Sequence, residues 1–198
     1  MKKYIYTRRD GVHVMDLHKT LVKLDAALTF LSKASKEGKK VLLVSTKQQA
    51  NPFVEKVAKS TNMPYITNKW IPGFLTNWDT VRTRISQLKK NKQMFETGEI
   101  EKYTKKEALK IRKETQKLQE TLGGVESLDR RPDIVFILDT VRDATAVKES
   151  NKLGIPVVAI IDSNSDPDMV DFPIPGNDDA IKSINYFMNK LEEALNSK

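Results

Sequence analysis

Apolar residues follow two kinds of pattern along this chain. Continuous runs predict strands buried on both faces: Val41-Leu42-Leu43-Val44, Ile134-Val135-Phe136-Ile137-Leu138 and Val157-Val158-Ala159-Ile160-Ile161. Between the runs, apolar residues recur at helical spacing. Leu17, Leu21, Leu24, Leu28 and Leu31 predict a helix from a cap at Asp16 to about Lys36, with Gly38 at its C-terminal end. Further helices are predicted around residues 52–59, over 143–153 before Gly154, and over 178–195. Tyr65-Ile66-Thr67 reads as a short strand. At the start of the chain, Tyr4-Ile5-Tyr6 and Val12-His13-Val14 flank Arg8-Arg9-Asp10-Gly11, whose Asp-Gly step predicts a β-hairpin. Strands alternating with helices predict an α/β fold, a parallel sheet with helices on both faces.

The middle of the chain breaks this alternation. Trp78, Val81, Ile85, Leu88 and Phe95 form one series, and Ala108, Ile111, Leu118 and Leu122 a second. Both keep spacings of three, four or seven, with Lys92 and Thr115 as polar members of the seams. Thr104-Lys105-Lys106-Glu107 is a capping box that starts the second helix. Residues 96–99 turn the chain round, and Gly123-Gly124 return it to the sheet. The pattern predicts an antiparallel coiled-coil hairpin over residues 77–122, with arms about 30 Å long. It is inserted into an α/β domain made of residues 1–76 and 123–198.

Charge changes the picture more than composition does. Hydrophobic residues make up 39% and charged residues 30%, so the chain can fold around a core. Cysteine is absent, which excludes disulfides and thiolate zinc sites. No apolar stretch approaches the roughly 20 residues of a membrane helix. Met1-Lys2-Lys3-Tyr4 runs straight into a strand pattern without the apolar core of a signal peptide. The expectation is a cytoplasmic protein with no membrane contact. The net charge is +8 but unevenly spread: residues 1–131 hold 28 Lys/Arg against 14 Asp/Glu, and residues 132–198 hold 6 against 12. Within 79–120 there are 12 basic and 7 acidic side chains. One part of the molecule is therefore suited to a polyanion and the other is not.

Enzyme chemistry finds little support. Ligands of parallel sheets gather at the C-terminal ends of the strands. The first such end, Ser45-Thr46-Lys47-Gln48-Gln49, has no glycine and is neither a dinucleotide fingerprint nor a phosphate loop. Asp162-Ser163-Asn164-Ser165-Asp166 resembles the start of a calcium loop, but Pro167 stands where glycine should turn the chain and Pro173 where a bidentate Glu should be. A structured turn is the expectation, and no metal or cofactor is expected. His13 and His18, the two histidines, have no nucleophile partner in the pattern. The alternative to an RNA-binding protein is a small Rossmann-like nucleotide-binding protein or enzyme. The most unusual stretch is Asn68-Lys69-Trp70-Ile71-Pro72-Gly73-Phe74-Leu75-Thr76-Asn77-Trp78 at the root of the hairpin. Lys69 and Trp70 are placed to offer charge and a stacking face to RNA, and Arg82 and Arg84 follow.

These stretches, taken in order, resemble one family. Residues 69–78, Tyr103-Thr104-Lys105-Lys106-Glu107-Ala108, Leu122-Gly123-Gly124, Arg131-Pro132-Asp133, residues 153–157, residues 162–167 and residues 171–180 resemble the second protein of the bacterial-type small ribosomal subunit. The resemblance covers nearly the whole chain. It implies a three-layer, flavodoxin-like α/β domain with a protruding coiled coil and no enzymatic activity. It also implies a place at the junction of head and body, bound to small-subunit rRNA and neighbouring ribosomal proteins. The large messenger-binding first protein is among those neighbours, and no homo-oligomer is expected. Two positions depart from the family pattern: Lys69 replaces the usual arginine and Gln48 a frequent basic residue. The candidate RNA contacts are Arg8, Arg9, Lys47, Lys69, Trp70, Asn77, Arg82, Arg84, Lys89, Lys105, Lys106, Arg112 and Lys113.

Overall fold

The computed structural model describes residues 1–9 and 11–197. The N-terminal hairpin pairs β1 (Ile5–Arg9) with β2 (Val12–Met15) antiparallel, as the sequence predicts, although Asp10 of its turn lies outside the described residues. Helix α1 (Leu17–Lys36) follows, and the Asp16 carboxylate caps it by accepting from the backbone N–H groups of His18 and Lys19. The sheet then builds from β3 (Val41–Val44), β4 (Tyr65–Ile66), β5 (Ile134–Ile137), β6 (Val157–Ile161) and β7 (Phe172–Pro175). All are parallel, in the order β4-β3-β5-β6-β7. Counted within the sheet this is the flavodoxin-like order, with its switch point between β3 and β5.

Alternation along the strands sends side chains to two cores. Leu42, Val44, Val135, Ile137, Val157, Ala159 and Ile161 face one layer. It contains α5 (Ala144–Lys152), the loop around Phe74 and the root of the helical hairpin. Val41, Leu43, Ile134, Phe136, Val158 and Ile160 face α1, α2 (Asn51–Thr61) and α6 (Ile181–Asn196). Helices on both sides of a sheet whose three central strands are fully buried give three layers, and explain why those strands are apolar runs without alternation.

Strand β7 departs from the sequence reading, which left residues 172–175 without an element. Its Phe-Pro-Ile-Pro sequence contains two prolines, which cannot donate to a ladder. The strand survives because it is an edge. Helix α1 closes that edge, where the Thr20 hydroxyl donates to the Pro175 carbonyl at 2.8 Å.

The hairpin consists of α3 (Trp78–Glu96) and α4 (Lys105–Leu122), with the Thr104–Glu107 capping box formed as the sequence predicts. The seam differs from the expected one. Asn91, not Lys92, is its polar member on α3: it is buried, and its amide donates to the Thr115 hydroxyl at 2.9 Å. Lys92 turns away to pair with Glu126. Positions 91 and 92 both fit the spacing from Leu88, and an amide is cheaper to bury than an ammonium. Beyond the root the hairpin thins out, and among the described residues of α4 Leu122 alone is buried.

Gly124 fixes how the hairpin rejoins the sheet. A Cβ there would lie 2.3 Å from the Tyr65 carbonyl oxygen and 2.9 Å from its ring. Since the nearest atom belongs to the backbone of β4, the neighbour cannot swing aside. Gly124→Ala is expected to destabilise the protein by about 1–3 kcal/mol, the usual range for overpacking. Urea unfolding of the two forms checks it; an unchanged midpoint would show that β4 gives way freely.

Candidate nucleic-acid interface

A row of cations runs along α4. Lys106, Lys110, Lys113 and Lys117 are spaced by four, three and four residues, so they share one helix face, and all are exposed. Lys105 and Arg112 are exposed beside this row, and the Arg112 guanidinium lies 5.9 Å from the Phe95 ring centre. On α3, Arg82, Arg84 and Lys89 are exposed, with Lys89 3.7 Å from the Asp129 carboxylate. Lys69 and Asn77 are exposed at the root, where Asn77 Oδ1 accepts from the Thr80 hydroxyl at 2.9 Å. Arg8 and Arg9 are exposed on β1. Cations lined up on a helix face can neutralise phosphates without reading bases.

The crevice at the switch point has a different chemistry. Lys47, after β3, is only 9% exposed. Its ammonium touches the carboxylates of Asp139, Asp178 and Asp179 at 2.9, 2.9 and 2.8 Å, and the Asp178 carbonyl at 2.9 Å. Burial works against the Lys47 charge, but the three carboxylates more than offset it and raise its pKa. Burial pushes the Asp178 carboxyl up to about 6, with Asp139 and Asp162 adding to the effect and Lys47 opposing it. Next to it, Asp143 accepts from the backbone N–H and hydroxyl of Thr46 at 3.1 and 2.9 Å, and Arg142 Nε donates to the same hydroxyl at 3.0 Å. A nucleotide phosphate placed here would meet a surplus of carboxylates. The 162–168 segment forms turns, with Ser165 N donating to the Asp162 carbonyl and Asp168 N to Asp166 Oδ1. Among the described residues, the carboxylates close enough to share a cation are Asp162, Asp178 and Asp179, within 4.8 Å of one another. Only the first belongs to the loop that the sequence pattern singled out.

The family model for ribosomal protein S2 matches residues 1–197. The chain belongs to the ribosomal protein S2 family. The small ribosomal subunit protein uS2 of Coprothermobacter proteolyticus is 46% identical over 98% of this chain and 73% of its own length. That of Dictyoglomus thermophilum is 43% identical over 98% and 79%. That of Campylobacter fetus is 45% identical over 99% and 76%. The S2 family is a structural, non-enzymatic component of the ribosome.

Two of the residues assigned to RNA contact from the sequence of this S2 family member are buried. Lys47 is held inside its carboxylates, so its charge is spent within the protein. Trp70 is 6% exposed and offers no stacking face. Its ring packs against Phe74 with centres 5.1 Å apart, Phe74 packs edge-on to Trp78 at 6.0 Å, and the Trp70 indole N–H donates to Glu149 Oε1 at 3.0 Å. The other candidates are solvent-facing, most of them on the hairpin. The sequence reading did not single out Lys110 and Lys117, which the four-three-four spacing from Lys106 places in the same exposed row. It also missed Glu149, whose signal was an acid on the otherwise core-facing side of α5, beside Ala146 and Ser150.

Proposed function

We propose that this chain holds its place in the small subunit by laying the hairpin of residues 77–122, as an arm distinct from the α/β domain of 1–76 and 123–198, against rRNA phosphates. The observation that carries this reading is the Lys106, Lys110, Lys113 and Lys117 row, with Arg82 and Arg84 at the root. The segments after β6 and β7 are acidic, with Asp162, Asp166, Asp168, Asp178 and Asp179. Those segments repel RNA and suit neighbouring proteins, among which the family resemblance implies the large messenger-binding first protein. A place at the head and body junction and a cytoplasmic setting follow from the same resemblance. Among the described residues, no helix is long and apolar enough to cross a membrane.

Filter binding to small-subunit rRNA over a range of salt tests the reading. Affinity is expected to fall log-linearly with salt, with a slope of roughly −0.7 to −0.9 per phosphate neutralised. The double variant Arg82→Glu/Arg84→Glu is expected to weaken binding and to flatten the slope by about 1 for each phosphate no longer neutralised. Lys182→Glu/Lys190→Glu, on α6, is expected to leave the slope unchanged. Equal weakening by the two pairs, or a salt-independent affinity, would remove the arm from its role.

A further inference from the structure

The segment joining β4 to α3 has no regular structure, yet it decides where the hairpin points. Five donors from this segment converge on one carboxylate. Glu149 Oε1 accepts from the Trp70 indole at 3.0 Å and the Gly73 N–H at 2.7 Å. Oε2 accepts from the N–H groups of Leu75 and Thr76 at 3.0 and 3.2 Å and from the Thr76 hydroxyl at 3.2 Å. A carboxylate has about four lone-pair sites, so these donors saturate it. Burial acts to raise the Glu149 pKa, and the donors outweigh it, holding the carboxyl below its usual range. Glu149 is 8% exposed on α5, and Trp70 is 79 residues away in sequence. The carboxylate therefore clamps a distant loop to the sheet domain.

The clamp has a second jaw. Arg131, on the chain returning from α4, donates from Nε to the Leu75 carbonyl at 2.9 Å. Leu75 is thus held by its N–H from one side and by its carbonyl from the other. Trp70, Phe74 and Trp78 pass the loop's position to the first turn of α3 through ring contacts. From there α3 is a lever: at the usual helical rise, each ~10° of change at the root moves its far end by roughly 5 Å. That displacement is comparable to the reach of a lysine, so direction decides which cations on the arm meet phosphate.

We propose that Glu149 is a positioning residue for RNA binding: it touches no RNA, and by saturating the Trp70–Thr76 loop it sets the direction of the basic arm. The proposal rests on the reading of the arm as the RNA surface. An apolar side chain of the same size would leave these five donors without their acceptor, so the loop's conformation depends on the carboxylate.

The test uses the full chain, which has no native cysteine. Spin labels at Glu101→Cys near the hairpin tip and Lys182→Cys on α6 report the arm's direction as a distance distribution. Glu149→Gln keeps the size but turns an N–H donor toward N–H donors. It is expected to broaden the distribution and to lower rRNA affinity about tenfold, as removing one or two phosphate contacts would. Hydrogen exchange in β3 and β5 should stay unchanged. Glu149→Asp, which keeps the charge, is expected to recover much of the affinity, and it carries the test if Glu149→Gln does not fold. An unchanged distribution in a folded variant overturns the proposal. So does a broadened distribution with unchanged affinity. Arg82→Glu/Arg84→Glu then separates the reasons: if that pair also leaves affinity unchanged, the RNA reading of the arm has failed, and if it weakens binding, arm direction does not govern affinity.

Discussion

Replacing residues 90–116 with a short turn is expected to leave the sheet folded and to reduce incorporation into small subunits by about a hundredfold, the order for removing several phosphate contacts. The cut falls where the core ends. Trp78, Val81, Ile85, Leu88 and Leu122 belong to the same buried cluster as the sheet, and all are retained. Beyond Leu88 the seam holds the buried Asn91 and Met94 on α3, opposite α4 residues that are half-buried or exposed. Two helices with so little shared apolar surface contribute little stability to the domain beneath them. The same thinness predicts rapid hydrogen exchange at residues 96–103 in the free protein and slower exchange on the subunit. Hydrogen exchange on the shortened form, with gradient sedimentation for incorporation, checks both halves. Loss of protection in β3 or β5 would make the arm part of the core, and unchanged incorporation would deny it an assembly role.

Lys47→Met should be the most destabilising single substitution considered. It leaves Asp139 and Asp178 buried without their cation. Breaking a buried pair from one side costs about 3–5 kcal/mol, which for a chain of this size lowers the melting temperature by on the order of 10 °C. The deficit should depend on pH in a definite direction. Asp178 already titrates at about 6 in the fold, above the ordinary aspartate value of 3.8. A carboxyl with a raised native pKa favours the fold while protonated, and that contribution is lost as pH rises through about 6. Without Lys47 the carboxyls rise further. The variant should therefore lag the wild type most at pH 8 and least at pH 5. Thermal melts across that range decide it, and a deficit that grows on acidification would contradict the ion-pair account.

The strands were legible where burial alone determines sequence. β3, β5 and β6 are apolar on both faces, and their runs of four or five mostly β-branched residues are too short for buried helices. β7 was not legible, because an edge position excuses its prolines and edges are a property of the assembled sheet. Both hairpin helices could be read from their spacing. The choice between Asn91 and Lys92 could not, because it depends on Thr115 and Glu126 across the turn. The exposed cations of the arm were visible as charge. Lys47 and Trp70 read as RNA contacts for the same reason, a cation and an aromatic at positions where ligands commonly sit. Their partners Asp178 and Glu149 lie 131 and 79 residues away, and no local pattern announces such closures.

Strand β3 is hydrogen-bonded on one side to the two-residue β4 and on the other to β5. The hairpin is encoded between these two neighbours, so residues 45–133 must all be made before β5 begins. At a synthesis rate of about 5–20 residues per second, that interval is roughly 4–18 s. Throughout it, Val41–Val44 presents an open, apolar edge in the nascent chain, and β4 can shield the opposite side only once Tyr65–Ile66 has been made. The hairpin, residues 77–122, accounts for about half of that interval, during which strand-mediated aggregation has its window.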